Sequence, residues 1–342
     1  MNSIAPIFCL VFACVTLASG ENDPVRALPF DGKEAGREGP SRQRLDVRVS
    51  TVGELVAALS RAAPDSRIHI DGRAVLDLGP VLPVVIPSGT MLTSDRGVGN
   101  SPGALLFTTR LDAFPMLVTG GSSVSIGGLR LRGPDPERRT NEMARLIKMG
   151  GRSPENGYYS IANSSGVKVV HSEFLMHHCE VFGWSHSGVY VVNSSPAVIR
   201  DCDFHHCQRS GLGYGVCLAR GVLLVERSRF DWCRHAIAST GQRDSSYEAR
   251  YNWVGENFSG HVFDVHGGGD RDDGTDVAGG ATKIHHNTVE CSKYPSVFIR
   301  GVPAEASSVR WNYFSGENPV KQTGSGRLDV RDNMSLKSEK RK

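Results

Sequence analysis

The 342-residue chain carries almost no charge imbalance: 39 Lys and Arg stand against 36 Asp and Glu, a net of +3. That is too little for a nucleic-acid-binding protein of this size, and no basic stripe interleaved with aromatics compensates. Long apolar runs are scarce as well. The one that exists, Met1 to Gly20, is short for a transmembrane span, has no successor, and ends in the small residues Ala18-Ser19-Gly20. It reads as a signal peptide (1–20), although it lacks the usual N-terminal Lys or Arg, so a secreted protein without a membrane span is expected. No helical repeat and no regular leucine spacing runs through the remainder, which excludes helical and leucine-rich solenoids.

Cysteine is sparse beyond the leader. Cys179, Cys202, Cys207, Cys217, Cys233 and Cys291 remain, an even number that permits disulfides in an exported chain. Cys207 and Cys233, each three residues after an apolar anchor on successive repeats, are the first pair to test; buried small apolar side chains are the alternative. Sequons free of proline at Asn163, Asn257 and Asn333 matter only where the host glycosylates.

What the chain does have is a recurring motif of alternating apolar and polar residues, with a small polar residue two places before a Phe or Val. Copies end at Phe174, Phe204, Phe230, Val254, Val289 and Phe314, in steps of 30, 26, 24, 35 and 25 residues. A period near 25 built from short β runs implies stacked coils of parallel strands. Two places before the anchors stand Ser172, Cys202, Ser228, Asn252, Asn287 and Asn312. Asn at a fixed turn position tolerates the left-handed region and bonds neighbouring backbone, so this column is expected to form an inward polar ladder. The fold expected is all-β: a single-stranded right-handed parallel β-helix of nine to eleven coils, monomeric.

Thr51 to Ala63 reads as an amphipathic helix, with Ser50 or Thr51 as N-cap, Glu54 in the first turn, and Leu55, Val56, Ala58 and Leu59 as its stripe. It is expected to plug the open N-terminal end of the solenoid. Residues 21–44 read as a disordered leader, 45–333 as one β-helix domain, and 334–342 as a basic disordered tail. A charged insertion between Asp135 and Asn156 interrupts the coils and is expected to wall a groove.

The order of a short helix, the strand Ile68-His69-Ile70-Asp71-Gly72, the coil Ile126-Gly127-Gly128-Leu129-Arg130-Leu131-Arg132-Gly133-Pro134, and then Asn-x-Phe-type coils resembles the pectate-lyase-like superfamily. The stretches Arg234 to Gly241 and His261 to Gly268 resemble microbial β-helix proteins of that kind. The resemblance implies a polysaccharide lyase, glycoside hydrolase or epimerase acting on extracellular, often uronate-containing polymers. The Asn-Thr-Asp, Gly-His-Gly and Arg-Ile-Lys set of the polygalacturonase-like hydrolases is missing, as is the Trp-Ile-Asp-His signature of calcium pectate lyases.

Chemistry concentrates between residues 234 and 286. Aligning the strands puts Val189, Val216, Ala236, Val262 and Val297 in one column and Tyr190, Cys217, Ile237, Phe263 and Phe298 in the next. With the aromatic column inward, Val262, Asp264 and His266 face out. The Asp264 column would otherwise hold Val191, Leu218, Ala238 and Ile299, so a carboxylate there breaks the pattern. His235, His261, Asp264, His266 and Arg234 are the candidate catalytic residues, and Tyr247, Glu248, Arg250, Arg271 and Arg300 the candidate substrate-binding ones. Asp264 must be either outward or paired, with His266, Arg234 or a metal.

Asp270, Asp272 and Asp273 in the loop 267–276 offer oxygen ligands for Ca²⁺, without EF-hand spacing. His261, His266, His285 and His286 around Asp264 are a transition-metal alternative. His177-His178-Cys179 and His205-His206-Cys207 have a metal-like composition, but stacked bend residues explain them more simply. A cation, a base and an acid suit β-elimination of a uronate polymer; two carboxylates would suit hydrolysis. The non-catalytic alternative is an adhesin or carbohydrate-binding β-helix, which should show chemically uniform outer faces.

Overall fold

In the computed structural model the described residues are 43–151, 153 and 157–336. The expected signal peptide, the expected leader up to residue 42 and the last six residues lie outside them. Three parallel sheets of 11, 10 and 9 strands run the length of the molecule, and each coil visits them in that order. Every pairing is parallel, with one coil's strand bonded to the next coil's equivalent. This is a right-handed parallel β-helix, and the strand numbers bracket the nine to eleven coils expected from the repeat.

Short β-branched runs suit such strands because alternate side chains enter a shared core while the others face out. On the 9-stranded sheet the inward column is Val189, Val216, Ile237, Phe263, Val297 and Val320. The neighbouring outward column is Tyr190, Cys217, Ala238, Asp264, Phe298 and Lys321. The column assignment from sequence was therefore one residue out at Val191, Leu218 and Ile299, and right only at Ala238. A one-residue slip moves a side chain to the other face, and here it hid Phe298 and Lys321 as neighbours of Asp264.

Helix α1 (Val52–Arg61) closes the N-terminal end. Its Thr51 N-cap and Glu54 form a capping box, and Leu55, Ala58 and Leu59 are buried against the first coil. The folded region starts earlier than the leader boundary implied, because Gln43 bridges to Ala62. It also extends past residue 333: Met334–Ser335 form a strand paired with Tyr313 and Phe314. The insertion at 135–156 contains a helix that was not expected, α2 (Thr140–Gly150), whose Met143 and Leu146 pack on Tyr159 and Ile161.

The polar ladder is present with two corrections. The Cys202 amide donates to Ser228 Oγ and the Ser228 amide to Asn252 Oδ1; Asn252, Asn287 and Asn312 then each donate to the asparagine of the next coil at 2.9 Å, ending on Asn333. The left-handed residues are not the asparagines but those before them: Arg227, Tyr251, His286, Trp311 and Asp332. The first copy of the repeat was also misplaced, since Val181 rather than Phe174 stacks under Phe204. Cys179 accordingly stands where Ser172 was assigned.

All six described cysteines are free thiols and buried. Cys207 stacks beneath Cys233 as the repeat suggested, but the two are hydrogen-bonded rather than joined. Among the described residues no helix is long and apolar enough to cross a membrane.

Candidate active site on the nine-stranded face

Two interruptions of the coil pattern flank the same face. The insertion carrying α2 enters this sheet from one side. On the other, the strand Phe263–Val265 leaves into the loop that forms α3 (Gly268–Arg271). Between them lies a cleft of about 760 Å³. Ile147 of α2 and Tyr159 line one wall and Gly269 and Asp270 the other, with Arg234, His235, His261, Phe298, Arg300 and Lys321 across the floor. The insertion and the loop thus bound the cleft as the sequence indicated.

Asp264 faces away from the solenoid core, yet it is fully buried beneath this floor. Arg300 grips it through Nε at 2.9 Å and Nη2 at 3.0 Å, a bidentate pair. His266 Nε2 lies 3.2 Å from the same carboxylate, and His235 Nε2 lies 3.5 Å away, too far for a hydrogen bond. Burial alone would push the Asp264 carboxyl up, but the His266 contact and the Arg300 charge outweigh it and hold it well below the usual carboxylate range. The protein partners are thus Arg300 and His266, and Arg234 is not among them. Asp264 and His266 do not touch the cleft; they sit behind it and brace the residues that do.

His266 also reaches Asp270, whose Oδ2 is 3.4 Å from Nδ1. The same Asp270 oxygen accepts from the Gly267 amide at 3.0 Å, and its Oδ1 lies 3.6 Å from Arg300. One network therefore fixes the strand, the glycine-rich turn and the next coil's arginine. Arg300 stacks on Phe298 at 4.7 Å, as does Lys321 from the following coil.

The two remaining histidines have fixed tautomers. His235 Nδ1 donates to the His261 carbonyl, and burial together with Arg234 holds the ring well below its ordinary value, so it is neutral. His261 Nδ1 donates to the Pro295 carbonyl at 2.8 Å, which leaves the lone pair on Nε2. Burial lowers His261 as well, although Asp264 and the Pro295 contact oppose it. A neutral imidazole with an unprotonated Nε2 in a cleft is equipped to accept a proton.

Several sequence-derived candidates belong elsewhere. Tyr247 points into the core, 3% exposed, with burial and then Asp264 raising its phenol. Glu248 and Arg250 lie on the 11-stranded sheet, bonded to each other at 2.8 Å. Parallel stacking of strands carried these three to other faces. Arg271 is a loop tie: it donates to the carbonyls of Thr240, Gly241 and Val277 and to Asp273, four of its five N–H groups, and its side chain is buried.

The loop aspartates do not converge. Asp270 serves His266, Arg300 and Gly267, Asp273 accepts from Thr275 and Arg271, and Asp272 ends α3 in the left-handed region. This set does not fit a calcium ion, and among the described residues no three His, Cys, Asp or Glu side chains are arranged to hold a metal. His285 and His286 end a strand of the 11-stranded sheet, away from the Asp264 group.

Tyr294, Phe298 and Lys321 were missed. Lys321 and Phe298 follow from the period of two once the register is right; Tyr294, at a corner before Pro295, carries no such signal. A scan against protein-family models finds no match, and neither does a search of curated proteins. Among solved structures, an alginate lyase from Paenibacillus sp. str. FPU-7 superposes with a TM-score of 0.53 at 16% identity, covering 82% of this chain and 98% of that one. A family 28 exopolygalacturonase from Yersinia enterocolitica gives 0.50 at 12% identity, covering 83% of this chain but 62% of that one. What the chain shares with them is the fold. At such identities the chemistry of this β-helix must be argued from its own cleft.

Proposed function

We propose that this β-helix is a carbohydrate-active enzyme that cleaves a uronate-containing polysaccharide by β-elimination in the cleft. The observation that carries the reading is the floor itself: Arg234, Arg300 and Lys321 surround His261, whose Nε2 holds a lone pair. The cations neutralise a uronate carboxylate, which makes the adjacent C5 proton acidic. His261 Nε2 takes that proton, the C4–O bond breaks as the C4=C5 double bond forms, and the Tyr294 hydroxyl protonates the departing oxygen. Phe298 and Tyr159 offer apolar faces to the sugar rings.

Hydrolysis is less well supported. It needs two available carboxylates, and among the described residues lining the cleft Asp270 alone is a carboxylate, with both oxygens engaged. Export, following the Met1–Gly20 segment, and action as a monomer belong to the same proposal. The test is a panel of acidic and neutral polysaccharides followed both by absorbance of unsaturated uronates and by reducing ends. The expected result is both signals on an acidic polymer only, with the absorbance lost in His261→Ala. Reducing ends without absorbance would make it a hydrolase; glycan binding without product would leave a binding module.

A further inference from the structure

Two His-His pairs stand outside the cleft with one geometry. His205 and His206 close a strand of the 10-stranded sheet, and His285 and His286 a strand of the 11-stranded sheet. In each pair the second histidine adopts a left-handed backbone, with φ of 55° and 56°. That twist turns the two rings nearly perpendicular, at 86° and 83°, and brings the two Nδ1 atoms to 2.9 and 2.8 Å. Bulky residues adopt positive φ at a cost, and other coils place Arg227, Tyr251, Trp311 or Asp332 at the position equivalent to His286. Histidine there is not required by the corner.

The remaining nitrogens supply a second, independent observation. His205 Nε2 lies 3.2 Å from Glu180 Oε1, and His285 Nε2 lies 3.3 Å from Glu248 Oε1. A carboxylate accepts only, so the proton of each strand histidine is on Nε2 and its Nδ1 presents a lone pair to its neighbour. This is the arrangement in which a carboxylate orients a metal-ligating imidazole. Nitrogen–metal bonds of 2.0–2.1 Å at a right angle would hold two nitrogens about 2.9 Å apart. The pairs already have that spacing.

We propose that His205–His206 and His285–His286 are two surface chelates for a late divalent transition metal of the nickel, copper or zinc kind. Each binds through its two Nδ1 atoms, with Glu180 and Glu248 fixing the strand histidine from behind. On binding, the second histidine of each pair moves its proton from Nδ1 to Nε2, so both rings stay neutral and no proton is released. Water completes the coordination, which makes these peripheral sites rather than closed structural ones. His177–His178 is the built-in comparison: its rings are 84° apart with Nδ1 atoms at 3.1 Å. Among the described residues His177 has no carboxylate behind its Nε2, which is the feature that Glu180 and Glu248 supply to the other two pairs.

The test is calorimetric titration of the full chain with Ni²⁺, comparing wild type with His206→Asn, His286→Asn and the double variant. Asparagine keeps the left-handed corner, so folding is preserved and can be checked by circular dichroism. Each single variant is expected to lose one equivalent of Ni²⁺ and the double variant two, while Glu248→Gln weakens one equivalent by about 10- to 100-fold. Should a variant misfold, the wild type serves: Ni²⁺ should protect the peptides holding His205–His206 and His285–His286 from diethyl pyrocarbonate. Unchanged stoichiometry and affinity in the double variant, or no protection at either pair, would overturn the assignment and leave the pairs as hydrogen-bonded corners.

Discussion

Substituting Asp264 by Asn replaces one carboxylate oxygen by an NH₂ group at the centre of the network behind the cleft. The native carboxylate is fully buried, takes both arms of Arg300 at 2.9 and 3.0 Å, and lies 3.2 Å from His266. Asparagine keeps one oxygen for Arg300 but turns an NH₂ group toward either the second arm or the imidazole, where it meets another donor. The Arg300 side chain, only 11% exposed, loses its bidentate counter-charge and keeps only Asp270, 3.6 Å away. Breaking a buried pair costs about 3–5 kcal/mol, and retention of one oxygen puts the expectation near the low end. Unfolding entropy for a domain this large is about 0.6 kcal/mol per degree, so a loss of about 3 kcal/mol lowers Tm by about 5 °C. The assay is thermal and guanidinium unfolding of Asp264→Asn, Arg300→Met and the double variant. The double variant should cost clearly less than the sum of the singles, because removing both charges leaves neither stranded. An Asp264→Asn protein melting within about 1 °C of wild type, or strict additivity, would refute the buried-brace account.

Two further expectations concern the scaffold. Asn287→Ala removes the acceptor for the Asn252 amide and the donor to the Ala249 carbonyl, both buried, and should cost about 2–4 kcal/mol in denaturant unfolding; a loss under about 1 kcal/mol would mean the ladder is decorative. Stability should also fall on acidification below about pH 6.5. Burial, helped by Arg209, pushes His186 down to about 3, and His235 is likewise depressed. Both bind a proton in the unfolded chain before they do in the folded one. Stability is therefore fully present above the unfolded value and declines by about 1.4 kcal/mol per pH unit for each ring. Asp264, depressed as well, contributes above the ordinary carboxylate range and loses its contribution only at lower pH. A flat guanidinium midpoint between pH 6.5 and 5 would count against neutral burial of these histidines.

The repeat, the capping helix and the ladder were legible in the sequence because each is local. A period near 25, a Thr51–Glu54 capping box and a column of asparagines are written in short segments whose physics needs no distant partner. The concentration of His, Asp and Arg between 234 and 286 was legible too, and Arg234, His235, His261 and Asp270 of that stretch line the cleft. What the sequence could not decide was register. Strands here pair with residues some 21 to 50 positions away, and loops of unequal length between coils absorb any slip silently. One residue of slip exchanged inside for outside in the Asp264 column, so Phe298 and Lys321 went unread as part of the cleft. Burial was decided last. Asp264 points outward on its own strand, but the side chains of Arg300 and His266 close over it, and only the stacked coils bring them there.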